Sequence, residues 1–136
     1  DKSFDIVHSN SLIEHVNTLG KQKNIADEII RIGKNYFVQT PNYYFPVEPH
    51  FLFIGFQWLP IKIRAFLLRN FKLTFGRRKK IKNYSKSLEV ADSIRLLKKK
   101  EFRSLFPGAK IYIEKFFMLE KSFVLYKLPH RDNKYM

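Results

Sequence analysis

The fold is decided by the stretch KNYFVQTPNYYFPVEPH, residues 34–50. It begins with a strand-like run at residues 36–39, which ends at Thr40 and Pro41. Residues 41–50 then form an aromatic, proline-rich loop that carries one carboxylate and one imidazole. Loops that leave the carboxyl ends of strands in an open α/β sheet are where ligands usually bind. We therefore expect the functional site in residues 41–50.

A strand and a helix precede this stretch. Residues 3–10 have the pattern of a short buried strand that ends in small polar residues. Ser11 and Glu14 have the spacing of a capping box, which predicts that a helix starts there. Apolar residues continue at helical spacing to Ile30, and Gly33 is expected to end the helix in the left-handed conformation. Strand, helix and strand in this order predict a right-handed crossover with parallel strands.

Helices dominate the middle of the chain. Residues 56–71 form an apolar pattern with Pro60 near its start, where proline is tolerated. The apolar face of this segment is broader than a surface helix needs, so it could pack on the sheet or cover a substrate cleft or a partner. The pattern of residues 88–97 predicts a second helix that Ser87 caps. Residues 101–106 are expected to form a short third helix.

The sequence pattern in the last part of the chain predicts a β-hairpin. Residues 111–117 and 122–127 alternate as strands, and residues 119–121 between them are too few for anything but an antiparallel return. Residues 129–136 form a polar tail. The expected fold class is therefore α/β, with parallel strands ending in an antiparallel β-hairpin.

Composition limits the class of protein. The 136 residues suit one domain and contain no cysteine, which excludes disulfides and thiolate metal sites. No apolar run approaches the roughly 18 residues of a membrane-spanning helix. The chain opens with a polar tripeptide (Asp1, Lys2, Ser3) and goes directly into a strand pattern, so no signal peptide is expected and a cytoplasmic location is the default.

The charge is strongly basic. The chain has 26 Lys and Arg residues against 12 acids, a formal net charge of +14. Basic residues concentrate at 77–80 with Lys82, within a loop-like stretch at residues 72–87, and again at 98–100. The first run is either a solvated basic loop or a contact for phosphate, nucleic acid or an acidic partner.

Several segments together resemble one known family. The run FDIVHSNSLIEHV at residues 4–16 resembles the fourth-strand segment of class I S-adenosylmethionine-dependent methyltransferases, close to the methyltransferase type 11 branch. EIIRIGK at residues 28–34 resembles the helix end before the fifth strand of that family. Further similar segments are QTPN, PVEPH, WLP, RLL and LFPGA, at residues 39–42, 46–50, 58–60, 95–97 and 105–109. The resemblance covers nearly the whole chain, in order.

The resemblance implies the carboxyl-terminal half of a Rossmann-like methyltransferase domain, spanning residues 1–128. In the family a glycine-rich loop and an acidic residue in the amino-terminal half hold the cofactor. The five glycines of this chain never form a G-x-G. The implied function is S-adenosylmethionine-dependent methyl transfer to an unknown acceptor by a longer protein, whereas this chain alone is expected to bind the cofactor poorly and to be inactive.

The missing half has a physical consequence for the first strand. The fourth strand of the family pairs with the first strand, which is not here. An apolar strand edge at residues 4–7 (Phe4, Asp5, Ile6, Val7) would then be open, and open edges are templates for pairing. We therefore expect self-association, or coverage of this edge by other chain.

The resemblance places His8, Ser9 and Asn10 near the methyl-bearing sulfur of the cofactor. Ser9 and Asn10 could instead only cap the following helix. His15, one turn further on, is expected to be a packed histidine rather than a base.

Glu48 and His50 are the expected catalytic pair. They are two residues apart in a loop that Pro46 and Pro49 keep extended, which places both side chains on one side. A histidine beside a carboxylate can act as a general base, or the pair can simply fix the loop. Asn42, Tyr43 and Tyr44 are expected to bind the acceptor, although the tyrosines could equally be core. No metal is expected, because His8, His15 and His130 show no ligand spacing with His50.

Two other functions compete with methyl transfer. The chain could be a non-catalytic module that binds a partner through the open edge and the broad helix. It could also bind anions or nucleic acid through the basic run that begins at Arg77.

Overall fold

A four-stranded mixed sheet forms the frame of the protein. The computed structural model describes residues 1–73 and 81–128. In chain order the strands are β1 (Phe4–Asn10), β2 (Gly33–Pro41), β3 (Val47–Glu48), β4 (Phe53–Ile54), β5 (Lys110–Phe116) and β6 (Leu119–Lys127). The order across the main sheet is β1-β2-β6-β5, and β3 and β4 form a separate two-stranded ribbon.

The strand directions confirm a mixed α/β fold with a parallel start and a closing hairpin. β1 and β2 are parallel, with Ser9 opposite Val38 and Asn10 opposite Gln39. β6 is antiparallel to both of its neighbours, β2 and β5. It follows that β5 runs in the same direction as β1 and β2, and that β6 alone is reversed.

Four α-helices accompany the sheet in the part of the chain that the structure describes. They are α1 (Leu19–Ile32), α2 (Ile61–Asn70), α3 (Tyr84–Asp92) and α4 (Lys99–Leu105), and short 3-10 helices occupy Ile13–His15 and Phe56–Trp58. None of the described helices is both long enough and apolar enough to span a bilayer.

The prediction that a helix starts at Ser11 is wrong. Ser11 has a positive φ of 49°, and its hydroxyl donates to the Gln39 side chain at 2.9 Å. The helix begins later, at Leu19, where the Thr18 hydroxyl accepts from the Lys21 amide at 3.2 Å. Pairing between the ends of β1 and β2 therefore overrides the capping-box pattern.

The expected left-handed conformation of Gly33 is also wrong. Gly33 has φ −94°, which is extended backbone, and it is the first residue of β2. Close packing explains the glycine: a Cβ atom here would lie 2.7 Å from the Asn35 carbonyl oxygen and 2.8 Å from a Val7 methyl group.

The predicted helix at residues 88–97 is shifted toward the amino terminus. α3 starts at Tyr84, inside the stretch assigned to a basic loop, and the Asn83 side chain caps it by accepting from the Lys86 amide at 3.1 Å. Ser87 is buried within the helix and is not its cap. Leu97 is extended, because it bridges to Asn42 and its carbonyl accepts from the next amide in that loop. The basic residues 77–80 and the tail at 129–136 lie outside the described residues.

The hairpin turn lies two residues earlier than expected. β6 already begins at Leu119, so the turn falls at Phe117 and Met118. Phe117 takes the positive φ of 53° that closes this turn. Residues 119–121 therefore belong to a strand.

The core consists of two clusters. One joins the sheet to α1 and α4 around the buried residues Val38, Phe102 and Leu125. The other joins α2 and α3 to Phe51 and Phe56 of the loop that follows β2. The broad apolar face of α2 is only partly used, since Ala65 and Leu68 are buried whereas Ile63 and Phe66 are exposed.

Candidate functional site

Three segments meet at the carboxyl ends of β1 and β2. They are the 3-10 helix Ile13–His15, which follows β1, the end of β2 at Thr40, and the loop at residues 41–50. The strands are parallel, so both of their carboxyl ends lie on one edge of the sheet. This edge is where open α/β sheets place their ligands.

The structure brings Glu48 and His50 together as predicted. Oε1 of Glu48 lies 2.7 Å from Nδ1 of His50, and the Phe51 amide donates to Oε2 at 2.7 Å. The Leu52 amide also donates to the Glu48 carbonyl at 2.8 Å. The carboxylate therefore both orients the imidazole and fixes the turn.

The position of Glu48 determines the state of the His50 ring. A carboxylate at Nδ1 holds the proton on that nitrogen, so a neutral ring presents the lone pair of Nε2. Burial alone would lower the pKa of His50, but the hydrogen bond and charge of Glu48, with the charge of Glu14, outweigh it and raise that pKa. Nε2 is therefore more basic than that of a free histidine.

Glu14 is a fully buried carboxylate beside this pair. Thr40 donates its hydroxyl to Oε2 of Glu14 at 3.1 Å. Oε1 has no hydrogen-bond partner and lies 3.9 Å from Nε2 of His50. Burial raises the pKa of Glu14 against the opposing effects of its hydrogen bonds and the two nearby histidines. This carboxylate therefore lacks the compensation that a buried charge requires.

Folding also brings His15 to His50. The two rings meet edge to face with centroids 4.8 Å apart. One ligand atom from each of Glu14, His15 and His50 lies within 4.8 Å of the other two. These histidines have no ligand spacing along the chain, because the residues that meet are 35 positions apart. Glu14, His15 and His50 are the residues that could hold a metal ion in the described part of the chain.

His50 borders two cavities. One has a volume of about 290 Å³ and is lined by Ser11, Gln39, Pro41, Phe45 and Ser122 among others. The other, of about 440 Å³, is bordered by His15, Pro49, Ser93 and Ile94. A ligand in either cavity could reach the imidazole, and the first also touches the carboxyl ends of β1 and β2.

A buried polar network holds the 3-10 helix in place. Gln22 is fully buried and donates its amide to the Ile13 and Arg95 carbonyls at 3.1 and 2.8 Å. Arg95 returns a bond from its guanidinium to Gln22 and another to Glu101, and its amide donates to the Glu14 carbonyl at 2.8 Å. The backbone of Glu14 is therefore fixed by Arg95.

The residues predicted to bind the acceptor divide into two kinds. Asn42 is buried, and its side chain donates to the Glu120 carbonyl at 2.7 Å and accepts from the Tyr44 amide at 3.0 Å. Its hydrogen-bonding groups therefore shape the loop. Tyr43 and Tyr44 meet edge to face, and the Lys98 ammonium lies 5.3 and 5.9 Å from their ring centroids. Tyr43 lines a third cavity, of about 230 Å³, on the Glu48 side of the loop.

The predicted cofactor-binding residues lie on a different surface. His8 is exposed and stacks on Phe37, with centroids 5.3 Å apart. His8 and Ser9 line a groove of about 340 Å³ between β1 and α1, and the Ser9 hydroxyl is buried without a hydrogen-bond partner. Asn10 is exposed at the end of β1. The structure does not bring these residues into the cavities that His50 borders.

Glu14 is the functional candidate that the sequence analysis missed. Its spacing from Ser11 predicts a capping box, although it lies among apolar residues shortly after a strand. A carboxylate enclosed by Ile13 and Val16 at the carboxyl end of a strand is a signal of burial, and buried carboxylates have a partner or a role. In the sequence, Thr40 marks only the end of a strand.

Comparisons with known proteins give one short similarity. A segment of 51 residues, 38% of this chain, is 35% identical to the Uncharacterized protein Rv1509 of Mycobacterium tuberculosis strain H37Rv and to the Uncharacterized protein MT1557 of strain CDC 1551. The matched segment spans 17% of the length of each relative. No family model matches the chain, and no solved structure matches it.

Proposed function

We propose that this chain forms the acceptor-side half of an S-adenosylmethionine-dependent methyltransferase and works as part of a longer protein. The proposal begins from the resemblance of residues 4–16 and 28–34 to class I methyltransferases. The Rossmann-like character of the sheet and the requirement for S-adenosylmethionine belong to this proposal.

The edge of the sheet carries the proposal. β1 is an edge strand, and its Phe4 and Ile6 side chains are 56% and 55% exposed. Apolar strand edges in proteins are usually paired or covered. The resemblance implies that a further strand pairs here and brings the glycine-rich loop for the cofactor. A sheet that ends in the β5–β6 hairpin on one side and has β1 as its other edge strand is compatible with that arrangement.

The Glu48–His50 pair supplies the chemistry that such a half would need. Methyl transfer from a sulfonium is a displacement in which the protein mainly positions the two reactants. A hydroxyl or ammonium acceptor must also lose a proton, and a positioned base contributes roughly 10²- to 10⁴-fold. His50 borders the cavities, so its imidazole can accept that proton while Glu48 holds Nδ1.

The test uses the longest protein that contains this chain. We expect calorimetry to show binding of S-adenosylhomocysteine, and His50→Ala to keep that affinity within about twofold while kcat falls by ~100-fold or more. Glu89→Gln, an exposed substitution on α3, is the control and should change neither quantity. Absence of cofactor binding by the longer protein would overturn the proposal, and an unchanged kcat in His50→Ala would remove the base role.

A partner-binding module is the second candidate, and the same exposed edge favours it. An open strand pairs with a partner strand through main-chain hydrogen bonds whether or not that partner carries a cofactor loop. Binding of S-adenosylhomocysteine separates the two candidates. Binding of nucleic acid through the basic run at residues 77–80 stays a prediction from the sequence, because that run lies outside the described residues. A steep salt dependence of such binding would support it.

A further inference from the structure

We propose that Glu14, His15 and His50 form a binding site for one divalent cation of the zinc class. The inference deepens the proposed function, since it concerns the same imidazole, but it rests on the geometry of the cluster and can be tested without a methyl donor. The residues belong to two segments that only the folded sheet brings together.

The first observation is a gap between two hydrogen-bond acceptors. Oε1 of Glu14 is buried without a partner and lies 3.9 Å from Nε2 of His50. Glu48 holds the Nδ1 proton, so a neutral His50 points a lone pair toward Glu14. Two facing lone pairs at a partly buried position require a proton or a cation between them, and 3.9 Å is too long for one proton to bridge. A metal cation satisfies both atoms at once.

The distances suit a small transition-metal ion. Ligand atoms at ~2.0–2.1 Å from a tetrahedral zinc ion are about 3.3 Å apart. The Glu14 and His50 atoms need to approach each other by only a fraction of an ångström from their 3.9 Å separation. His15 is exposed, so its ring can turn toward the ion without disturbing the core.

The two better-buried ligands already have the supporting hydrogen bonds that metal sites use. Metal-binding histidines usually donate their other ring nitrogen to a carboxylate, and ligating carboxylates are themselves hydrogen-bonded. Glu48 occupies that position at Nδ1 of His50, and the Thr40 hydroxyl donates to the second oxygen of Glu14. If Glu48 and His50 served only to hold the loop, the hydrogen bond from Thr40 to Glu14 would not be needed.

The ligand set also indicates which class of metal binds and what could occupy the remaining coordination position. Two imidazoles with one carboxylate favour zinc and similar ions over magnesium, which prefers oxygen ligands and keeps its waters. Three protein ligands leave one position open, as in catalytic zinc sites. His15 and His50 both border the 440 Å³ cavity, so an oxygen atom of a bound acceptor or water could occupy that position. The ion would then lower the pKa of an acceptor hydroxyl, in place of the free imidazole.

The experiment titrates zinc chloride into the untagged, chelator-dialysed chain and follows binding by calorimetry. We expect one saturable site per chain and a higher thermal midpoint when zinc is bound. His15→Ala and His50→Ala should each weaken binding by tenfold or more. Glu48→Gln should weaken it by about 10- to 100-fold, as expected for a supporting residue. Millimolar magnesium should not compete.

Two further variants protect the interpretation. Glu14→Gln keeps the shape of the buried side chain and removes its charge, so it should fold and yet lose zinc. His8→Ala, a histidine on β1 outside the cluster, should bind zinc as the unaltered chain does. No saturable binding, binding by His15→Ala and His50→Ala as tight as that of the unaltered chain, or tighter binding of magnesium than zinc would each overturn the site. Because these titrations contain no methyl donor, their failure leaves methyl transfer untouched, and failed cofactor binding leaves the metal site untouched.

Discussion

Gln22 and Arg95 bind each other in both directions although 73 positions separate them. The Gln22 amide donates to the Arg95 carbonyl at 2.8 Å, and the Arg95 guanidinium donates to the Gln22 side-chain oxygen at 2.8 Å. Gln22 lies on α1, and Arg95 belongs to the extended segment after α3. This pair therefore joins α1 to that segment next to the turn that carries Glu14.

Removing the Gln22 side chain should lower the free energy of unfolding substantially. Gln22→Ala leaves the Ile13 and Arg95 carbonyls without their donor in a buried position, and each unsatisfied buried group costs about 1–3 kcal/mol. We expect the free energy of unfolding to fall by roughly 2–4 kcal/mol in urea titrations. Asn24→Ala, an exposed amide on the same helix, is the control and should change it by less than about 0.5 kcal/mol. Similar losses in the two variants would contradict the network.

Glu101 should make stability depend on acid pH. Burial raises its pKa, but hydrogen bonds from the Lys98 amide and Arg95 outweigh this and hold the pKa below its ordinary value of 4.5. The stabilisation is therefore complete above pH 4.5 and is lost as the pH falls through the lower, folded-state pKa. Glu101→Gln should cost roughly 1–2 kcal/mol at pH 7, and the difference should shrink below pH 4.5. Glu89→Gln, whose exposed carboxylate meets Lys86, should show almost no effect at either pH.

Gly33 and Gly20 should respond to alanine in opposite ways. A Cβ at Gly33 would press on the Asn35 carbonyl oxygen at 2.7 Å, which is backbone and cannot move aside easily. Gly33→Ala should therefore lower the free energy of unfolding by roughly 1–3 kcal/mol. Gly20 lies in α1 with nothing within 4 Å of its Cβ position, so Gly20→Ala should be neutral or stabilising by up to about 1 kcal/mol. Thermal or urea unfolding of both variants checks the contrast, and equal effects would refute it.

The edge of β1 should control self-association. Ile6→Lys places a charge on the exposed apolar edge, which discourages strand pairing. We expect the unaltered chain to sediment as dimers or larger species at high micromolar concentration and Ile6→Lys to shift it toward monomer. Tyr112→Lys, at an exposed position on the opposite edge strand β5, should leave the association unchanged.

Hydrogen exchange of the β1 amides tests independently whether that edge is paired. A chain that sediments as a clean monomer, with amides at residues 4–7 exchanging rapidly, would contradict the pairing prediction. Protection of these amides that disappears in Ile6→Lys would support it.

The sequence predicted the elements whose signals are local. The parallel pair β1–β2 follows from two apolar strands joined by a helix, and the Glu48–His50 contact follows from a spacing of two between restrictive prolines. Two of the errors came from long-range contacts. Ser11 bonds to Gln39 rather than capping a helix, and Leu97 is drawn out of a helical pattern by its bridge to Asn42. No local pattern could have indicated these contacts.

The cluster of Glu14, His15 and His50 depends on the same kind of long-range contact. Glu14 and His15 adjoin in sequence, but His50 reaches them only because β1 and β2 are parallel and end side by side. Spacing along the chain could not predict this meeting, whereas the strand pattern implied that the two loops share one edge. Only the strand topology, and no sequence motif, could have predicted that His50 lies beside Glu14 and His15.

The two oxygens of Glu48 couple the conformation of the turn at residues 48–52 to the orientation of the His50 ring. One oxygen orients His50 and the other receives the Phe51 amide, so a substitution that loosens the turn also turns the imidazole. Anyone who wishes to redesign which molecules the site accepts should therefore leave residues 48–52 unchanged. Ser11, Gln39 and Phe45, on the wall of the 290 Å³ cavity, can be varied without touching either oxygen of that carboxylate.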